Sequence, residues 1–137
     1  MTVVTHGLPV ASALAEHPTV EVIVLGGRLV KESRSMAGAE TLLGYRSVRA
    51  DLCVLGTASV HPDIGLGVFS HEDAEVKRAM VGAAAEVMVV AAGEKLGTTA
   101  PFLVGPLSIV DRLVTDRAAS DEVILTLTHA GLDIVRG

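Results

Sequence analysis

The chain has 137 residues, half of them hydrophobic, and a formal net charge of −5. That length suits one domain with a real core, and the lack of any basic stripe excludes direct DNA or RNA contact by these residues. No apolar run nears the roughly 18 residues of a membrane-spanning helix, and the opening residues carry no signal-peptide pattern.

Phe69, Phe102 and Tyr45 are the only aromatic residues, so the core must be aliphatic. Such a core fits a sheet covered on both faces. Cys53 is the single cysteine and lies in the apolar run Leu52-Cys53-Val54-Leu55. It predicts a core thiol in a reducing, cytoplasmic setting.

Thr2 to Thr5 reads as a first strand. Pro9 to Glu16 follows as a helix with Val10, Ala13 and Leu14 on one face, stopped by Pro18. Val20 to Leu25 is a β-branched second strand, broken by Gly26-Gly27. Arg28 to Val30 continues as a hairpin arm. Ser35 is placed to cap a helix reaching about Ser47. Asp51 to Leu55 is the next strand, ending at Gly56, and a loop with Pro62, Gly65 and Gly67 comes after it. A helix starts at Ser70, where Ser70-x-x-Asp73 is a capping-box-like signal. Its face is Val76, Ala79, Met80, Ala83 and Ala84. Val87 to Ala91 reads as a strand buried on both sides, and Ile109 to Thr115 as another strand. Ser120 caps a last helix with Val123, Ile124, Leu127 and Ala130 on one face. Gly131 ends it, and Leu132 to Val135 closes the chain as a strand.

Strand and helix alternate almost throughout. That order predicts an α/β fold with a Rossmann-like, mostly parallel sheet, right-handed crossovers and helices on both faces. The whole chain reads as a single domain.

Open parallel sheets bind ligands beyond the carboxyl ends of their strands. The residues found there are Thr5-His6-Gly7, then Gly26-Gly27-Arg28, then Gly56-Thr57-Ala58-Ser59, then Gly93-Glu94-Lys95-Leu96-Gly97. Glycines admit backbone N–H groups to a ligand, and cations supply charge, so the set suits a small anion such as a phosphate. Each glycine also has a plainer reading as a tight turn. Lys95 stands out because it follows a strand and lies between two glycines. Lys77 pairs in sequence with Asp73 one turn earlier, as exposed helix residues do. His6, His17, His61, His71 and His129 lack metal-ligand spacing. No G-x-S-x-G, Walker or G-x-G-x-x-G pattern occurs, so no cofactor is predicted.

Taken in order, several segments resemble the C-terminal effector domain of DeoR-family transcriptional repressors. They are Val22-Ile23-Val24-Leu25-Gly26-Gly27, then Asp51-Leu52-Cys53-Val54-Leu55-Gly56-Thr57-Ala58 with Gly65-Leu66. Asp73-Ala74-Glu75-Val76-Lys77-Arg78-Ala79-Met80, Lys95-Leu96-Gly97, Val104-Gly105-Pro106-Leu107-Ser108 and Val110 to Asp116 complete the set. The resemblance covers nearly the whole chain.

It implies a fold similar to ribose-phosphate isomerases and CoA-transferase-like proteins, and a non-enzymatic role as a sugar-phosphate sensor. It further implies an oligomer that reaches DNA only through a separate N-terminal winged-helix domain. The implied ligand-binding residues are His6, Gly26, Gly27, Gly56, Thr57, Asp73, Lys77 and Lys95, with Lys95 on a phosphate or sugar oxygen. The family's first strand and its Asp-x-Gly-Thr-Thr loop would precede Thr2. His6 stands where the family has Asn, Ala92 where it has Asp, Leu96 where it has an aromatic, and Ala58 where it has a polar or acidic residue. Two alternatives accompany this reading. One is a sugar-phosphate isomerase with Glu94 or Asp73 as base. The other is an assembly fragment that binds no ligand.

Overall fold

The computed structural model describes residues 1–137 as two compact units, Met1–Val48 and Arg49–Gly137. In the first, strand β1 (Thr2–Thr5), helix α1 (Leu8–Leu14) and strand β2 (Glu21–Val24) form a β-α-β unit. Its strands pair in parallel from Thr2↔Glu21 to Thr5↔Val24. Pro9 falls in the first turn of α1, where its missing N–H costs nothing. The covered side of α1 is Leu8, Ala11 and Leu14; Val10 and Ala13, expected there, are exposed. With only 7 residues the helix has two turns, too few for a periodic face to be read from sequence.

Strands β3 (Arg28–Val30) and β4 (Ser35–Ala37) pair antiparallel across the turn Lys31–Arg34. Arg28 to Val30 is therefore a hairpin arm, as expected. Ser35 belongs to the partner strand and does not cap a helix. Helix α2 (Ala39–Arg46) starts three residues later than that reading allows, with Gly38 as its N-cap. The two-residue-period pairing with β3 wins over the capping propensity of Ser35.

The second unit carries β5 (Ala50–Gly56), β6 (Ser59–His61), β7 (Gly65–Val68), α3 (His71–Ala83) and β8 (Ala84–Val90). Then come a 3-10 turn (Gly93–Lys95), β9 (Phe102–Gly105), a 3-10 turn (Leu107–Ile109), β10 (Arg112–Thr115), α4 (Asp121–His129) and β11 (Ile134–Arg136). Strands β11-β10-β8-β5 form one parallel sheet in that order. The protein is thus mixed α/β with a Rossmann-like parallel sheet flanked by helices. A second, antiparallel sheet has the order β6-β7-β9, and its strands β6 and β7 occupy the stretch expected to be a glycine-containing loop. Its first two strands have 3 and 4 residues, short enough to read as turn. Ile109 lies in the second 3-10 turn, so β10 is shorter than expected.

Ser70 caps α3 by accepting from the Asp73 N–H at 3.3 Å, and Ser120 caps α4 by accepting from the Val123 N–H at 3.1 Å. These hydroxyls satisfy N–H groups that the helix itself leaves orphaned. Helix α3 buries Ala74, Val76 and Ala83, whereas Ala84 already belongs to β8. Ala130 is the exposed C-cap of α4, and Leu127 is that helix's fully buried residue. Leu127 joins Leu55, Val89, Leu113 and Ala74 in one aliphatic core with Leu66 and Val68 of the small sheet.

Sequential strands added in one direction, with right-handed crossovers, place their helices on the same side. Accordingly the inward residues Cys53, Leu55, Val87 and Val89 are buried. The outward residues of the same strands are not: Leu52 is 48% exposed, Val54 54% and Val90 45%. Strand β8 is therefore buried on one side, a correction to the expectation of burial on both. Its outward residues are apolar all the same, which removes the alternation that normally reports a half-buried strand.

Candidate functional site

In the second unit, α3 runs directly into β8, so its C-terminus lies at the amino end of the sheet. Its 13 residues, at about 1.5 Å each, span roughly the length of the 7-residue β8 strand at about 3.3 Å each. The N-terminal turns of α3 therefore return to the carboxyl end of the sheet. Asp73, in the first turn of α3, lies toward that end, and Lys77 lies at the midpoint of the helix.

The carboxyl edge is pinned together by its backbone. The Gly97 N–H donates to the Val60 carbonyl at 2.7 Å, beside a parallel bridge between Val60 and Leu96. The Lys95 N–H donates to the Ala92 carbonyl, and the Thr98 hydroxyl donates to the Lys95 carbonyl at 2.6 Å. One oxygen of Asp116, just past β10, accepts from the Gly93 N–H at 3.1 Å and from the Ala118 N–H at 2.9 Å. Sequence reasoning did not select Asp116; its one signal was an acid directly after a strand. The Lys95 side chain is half-buried, and no ion pair or side-chain hydrogen bond engages its ammonium.

Asp73 and Lys77 form an ion pair at 3.2 Å, with side chains 38% and 17% exposed. The lysine is the more covered partner, and the carboxylate is the outer one. Thr57 is buried, and its hydroxyl is shared between the carbonyls of Ser59 at 3.1 Å and Gly67 at 3.0 Å. That proton closes the β6–β7 hairpin. Gly56 is different: it pairs with Val90 at the end of β5, and a Cβ built there meets nothing within 4 Å. Gly93 serves packing, because its Cβ would fall 2.1 Å from the Ala119 nitrogen.

His6, Gly26 and Gly27 belong to the first unit. His6 follows β1, and its Nδ1 lies 2.6 Å from the hydroxyl of the buried Tyr45, with the rings edge-to-face at 5.4 Å. Gly27 has φ 149°, and a Cβ there would fall 2.3 Å from the Thr41 hydroxyl oxygen. That hydroxyl donates to the Gly26 carbonyl at 2.7 Å. The double glycine thus lets α2 close on the end of β2.

Cys53 is buried, and burial pushes its thiol up to about 11. It stays protonated at neutral pH and is no nucleophile. No group of three or more His, Cys, Asp or Glu residues is arranged to hold a metal ion. No helix is long and apolar enough to cross a membrane.

Parallel α/β sheets bind ligands beyond the carboxyl ends of their strands, and Lys95 lies at that edge here. The family comparison makes the class specific: residues 1–117 match the DeoR C terminal sensor domain, and the chain belongs to that family. It is 29% identical over 134 residues to the HTH-type transcriptional repressor GlcR of Bacillus subtilis (strain 168), covering 98% of this chain and 52% of the relative. It is 30% identical over 136 residues to the glycerol-3-phosphate regulon repressor of Escherichia coli (strain K12), covering 98% and 54%. A putative aga operon transcriptional repressor of Escherichia coli O157:H7 is 24% identical over 131 residues, covering 96% and 49%. The chain therefore spans about half the length of the curated relatives it matches. The family is regulatory, and its domain is a sensor and not an enzyme, which removes the isomerase alternative.

Proposed function

We propose that this chain is a single effector-binding domain that senses a phosphorylated sugar and modulates DNA binding by a separate winged-helix domain. The observation that carries the ligand class is Lys95. Its ammonium has no counter-charge, yet its backbone is fixed by four hydrogen bonds at the loop's ends and middle: Gly93 to Asp116, Lys95 to Ala92, Thr98 to Lys95 and Gly97 to Val60. An unpaired cation on a rigid loop is prepared for an anion and loses little entropy in binding it. The name of the Escherichia coli relative, a glycerol-3-phosphate regulon repressor, fits an organic phosphate. In this reading Gly56 admits the ligand, and Asp73, paired with Lys77, lies toward the edge. Thr57 holds the hairpin beneath it. His6, Gly26 and Gly27 shape the corresponding end of the β1–β2 unit. The protein works in the cytoplasm as a homo-oligomer.

Thermal unfolding against a panel of triose, pentose and hexose phosphates tests this. A rise in midpoint with one ester, absent with the parent sugar, is expected. No shift with any ester, in this chain and in a full-length protein, would sink the proposal.

One observation favours the assembly alternative. Leu52, Val54, Val90 and Val135 each remain 45% or more exposed on the outward side of the parallel sheet, and such a surface favours association. Light scattering that finds only monomer would count against that role.

A further inference from the structure

Thr115 carries the one buried side-chain oxygen without a hydrogen-bond partner. It is the last residue of β10 and is only 5% exposed. Its carbonyl accepts from the Gly137 N–H at 2.9 Å, but its hydroxyl meets no such group. The surroundings explain why. Side chains alternate along β10, and Thr115 shares the buried side with Leu113. On one flank its register partner is Arg136, whose guanidinium is committed to the Ala119 carbonyl at 3.1 Å and to Asp121 at 2.8 Å. On the other flank Val90 pairs with Val114, which sets Ala91 level with Thr115. Ala91 offers only a methyl, where Val87 and Val89 earlier on the same side are larger.

Buried hydroxyls are nearly always hydrogen-bonded, and one left unpaired destabilises a fold relative to a valine of the same shape. Valine also suits a strand at least as well as threonine. The hydroxyl therefore works against stability at this position. The position adjoins the proposed ligand edge: Asp116 follows directly, and its carboxylate holds the Gly93 N–H at the start of the turn that bears Lys95.

We propose that Thr115 is a ligand-contacting residue: its hydroxyl, beside the small Ala91, takes a hydroxyl group of the phosphorylated sugar. This rests on the sugar-phosphate reading above and adds to it a residue that binds no phosphate. A hydroxyl matches a hydroxyl because each can donate and accept. A phosphate instead calls for the charge that Lys95 supplies.

The test uses the isosteric Thr115→Val, with Thr115→Ser as control. The probes are inorganic phosphate and the ester, from the triose, pentose and hexose phosphate panel, that stabilises the wild-type chain. Thr115→Val is expected to leave the urea midpoint of the free protein unchanged or higher, and to weaken the ester about tenfold by calorimetric titration. Inorganic phosphate, which has no carbon-borne hydroxyl, should bind both proteins equally. Thr115→Ser keeps the hydroxyl and should keep most of the ester affinity. A lower urea midpoint in Thr115→Val would mean that water already satisfies the hydroxyl in the free protein, and it overturns the proposal. Unchanged ester affinity in Thr115→Val, or an equal loss for inorganic phosphate, also overturns it while leaving the sugar-phosphate reading intact. If no ester binds the wild-type chain, that reading has failed and this inference with it.

Discussion

Two glycines at strand ends, alike in sequence, should behave in opposite ways when changed to alanine. At Gly93 the new methyl would lie 2.1 Å from the Ala119 nitrogen and 2.6 Å from the Ala118 carbonyl carbon, both backbone atoms. The 116–119 loop must move, and the Gly93 N–H then draws away from Asp116. Overpacking of this kind costs about 1–3 kcal/mol, and a charge-assisted hydrogen bond adds roughly 1.5–3 kcal/mol. Gly93→Ala is therefore expected to lower the unfolding free energy by about 3 kcal/mol in urea titration, a large share of a typical domain's stability. At Gly56 the methyl meets nothing within 4 Å. Gly56→Ala should be stability-neutral or slightly favourable, by up to about 1 kcal/mol, because it restricts the unfolded chain. Its effect should appear only in ligand binding, where the methyl occupies the open space. Equal stability losses at the two positions would refute this assignment of one glycine to packing and the other to access.

Two further outcomes follow from buried groups. The Cys53 thiol is raised from 9.0 to about 11 by burial, so its contribution to stability is complete below pH 9 and is lost as pH climbs through about 11. Wild type should lose roughly 2–3 kcal/mol more than Cys53→Ala over that window in denaturation series; parallel curves would contradict it. Thr41 is fully buried, and its hydroxyl holds the Gly26 carbonyl at 2.7 Å. Thr41→Val should cost about 1–2 kcal/mol, read as a lower urea midpoint at unchanged slope.

The elements that sequence conveyed best are those with a local chemical signal. Ser70 and Ser120 announce their helices because capping is a contact within three residues. The parallel strands announce themselves as β-branched runs. What escaped was decided by distant partners. Ser35 looks like a cap until Arg28–Val30 is known to pair with its strand. The β6–β7 hairpin looks like loop because its stability comes from β9, some forty residues away, and from the Thr57 hydroxyl beneath it. In the proposed site, Lys95 stands out in sequence by its glycine neighbours. Thr57 is legible only as a ligand residue, and Gly93 only as part of a strand-end loop. Nothing in sequence shows that the hydroxyl of one is spent on two carbonyls or that the other faces a backbone nitrogen.

Asp116 separates positioning from electrostatics by the sign of an effect. Its carboxylate oxygen binds the N–H groups of Gly93 and Ala118, and so joins the loop that bears Lys95 to the end of β10. It also sets a negative charge near the place proposed for a phosphate. If its charge dominated, any neutral replacement would tighten phosphate binding. If its hydrogen bonds dominate, the outcome depends on whether an acceptor remains. Asp116→Asn keeps a carbonyl oxygen for both N–H groups and removes the charge, so phosphate affinity should rise by a few-fold at low salt, at about the scale of a screened surface interaction. Asp116→Ala removes the acceptor as well and leaves two N–H groups seeking new partners. It should destabilise the fold by about 2 kcal/mol and weaken phosphate binding despite the gain in net positive charge. Tighter binding in both variants would mean that the Lys95 loop holds its shape without Asp116, and that the rigidity assigned to this edge comes from the Gly97–Val60 contact alone.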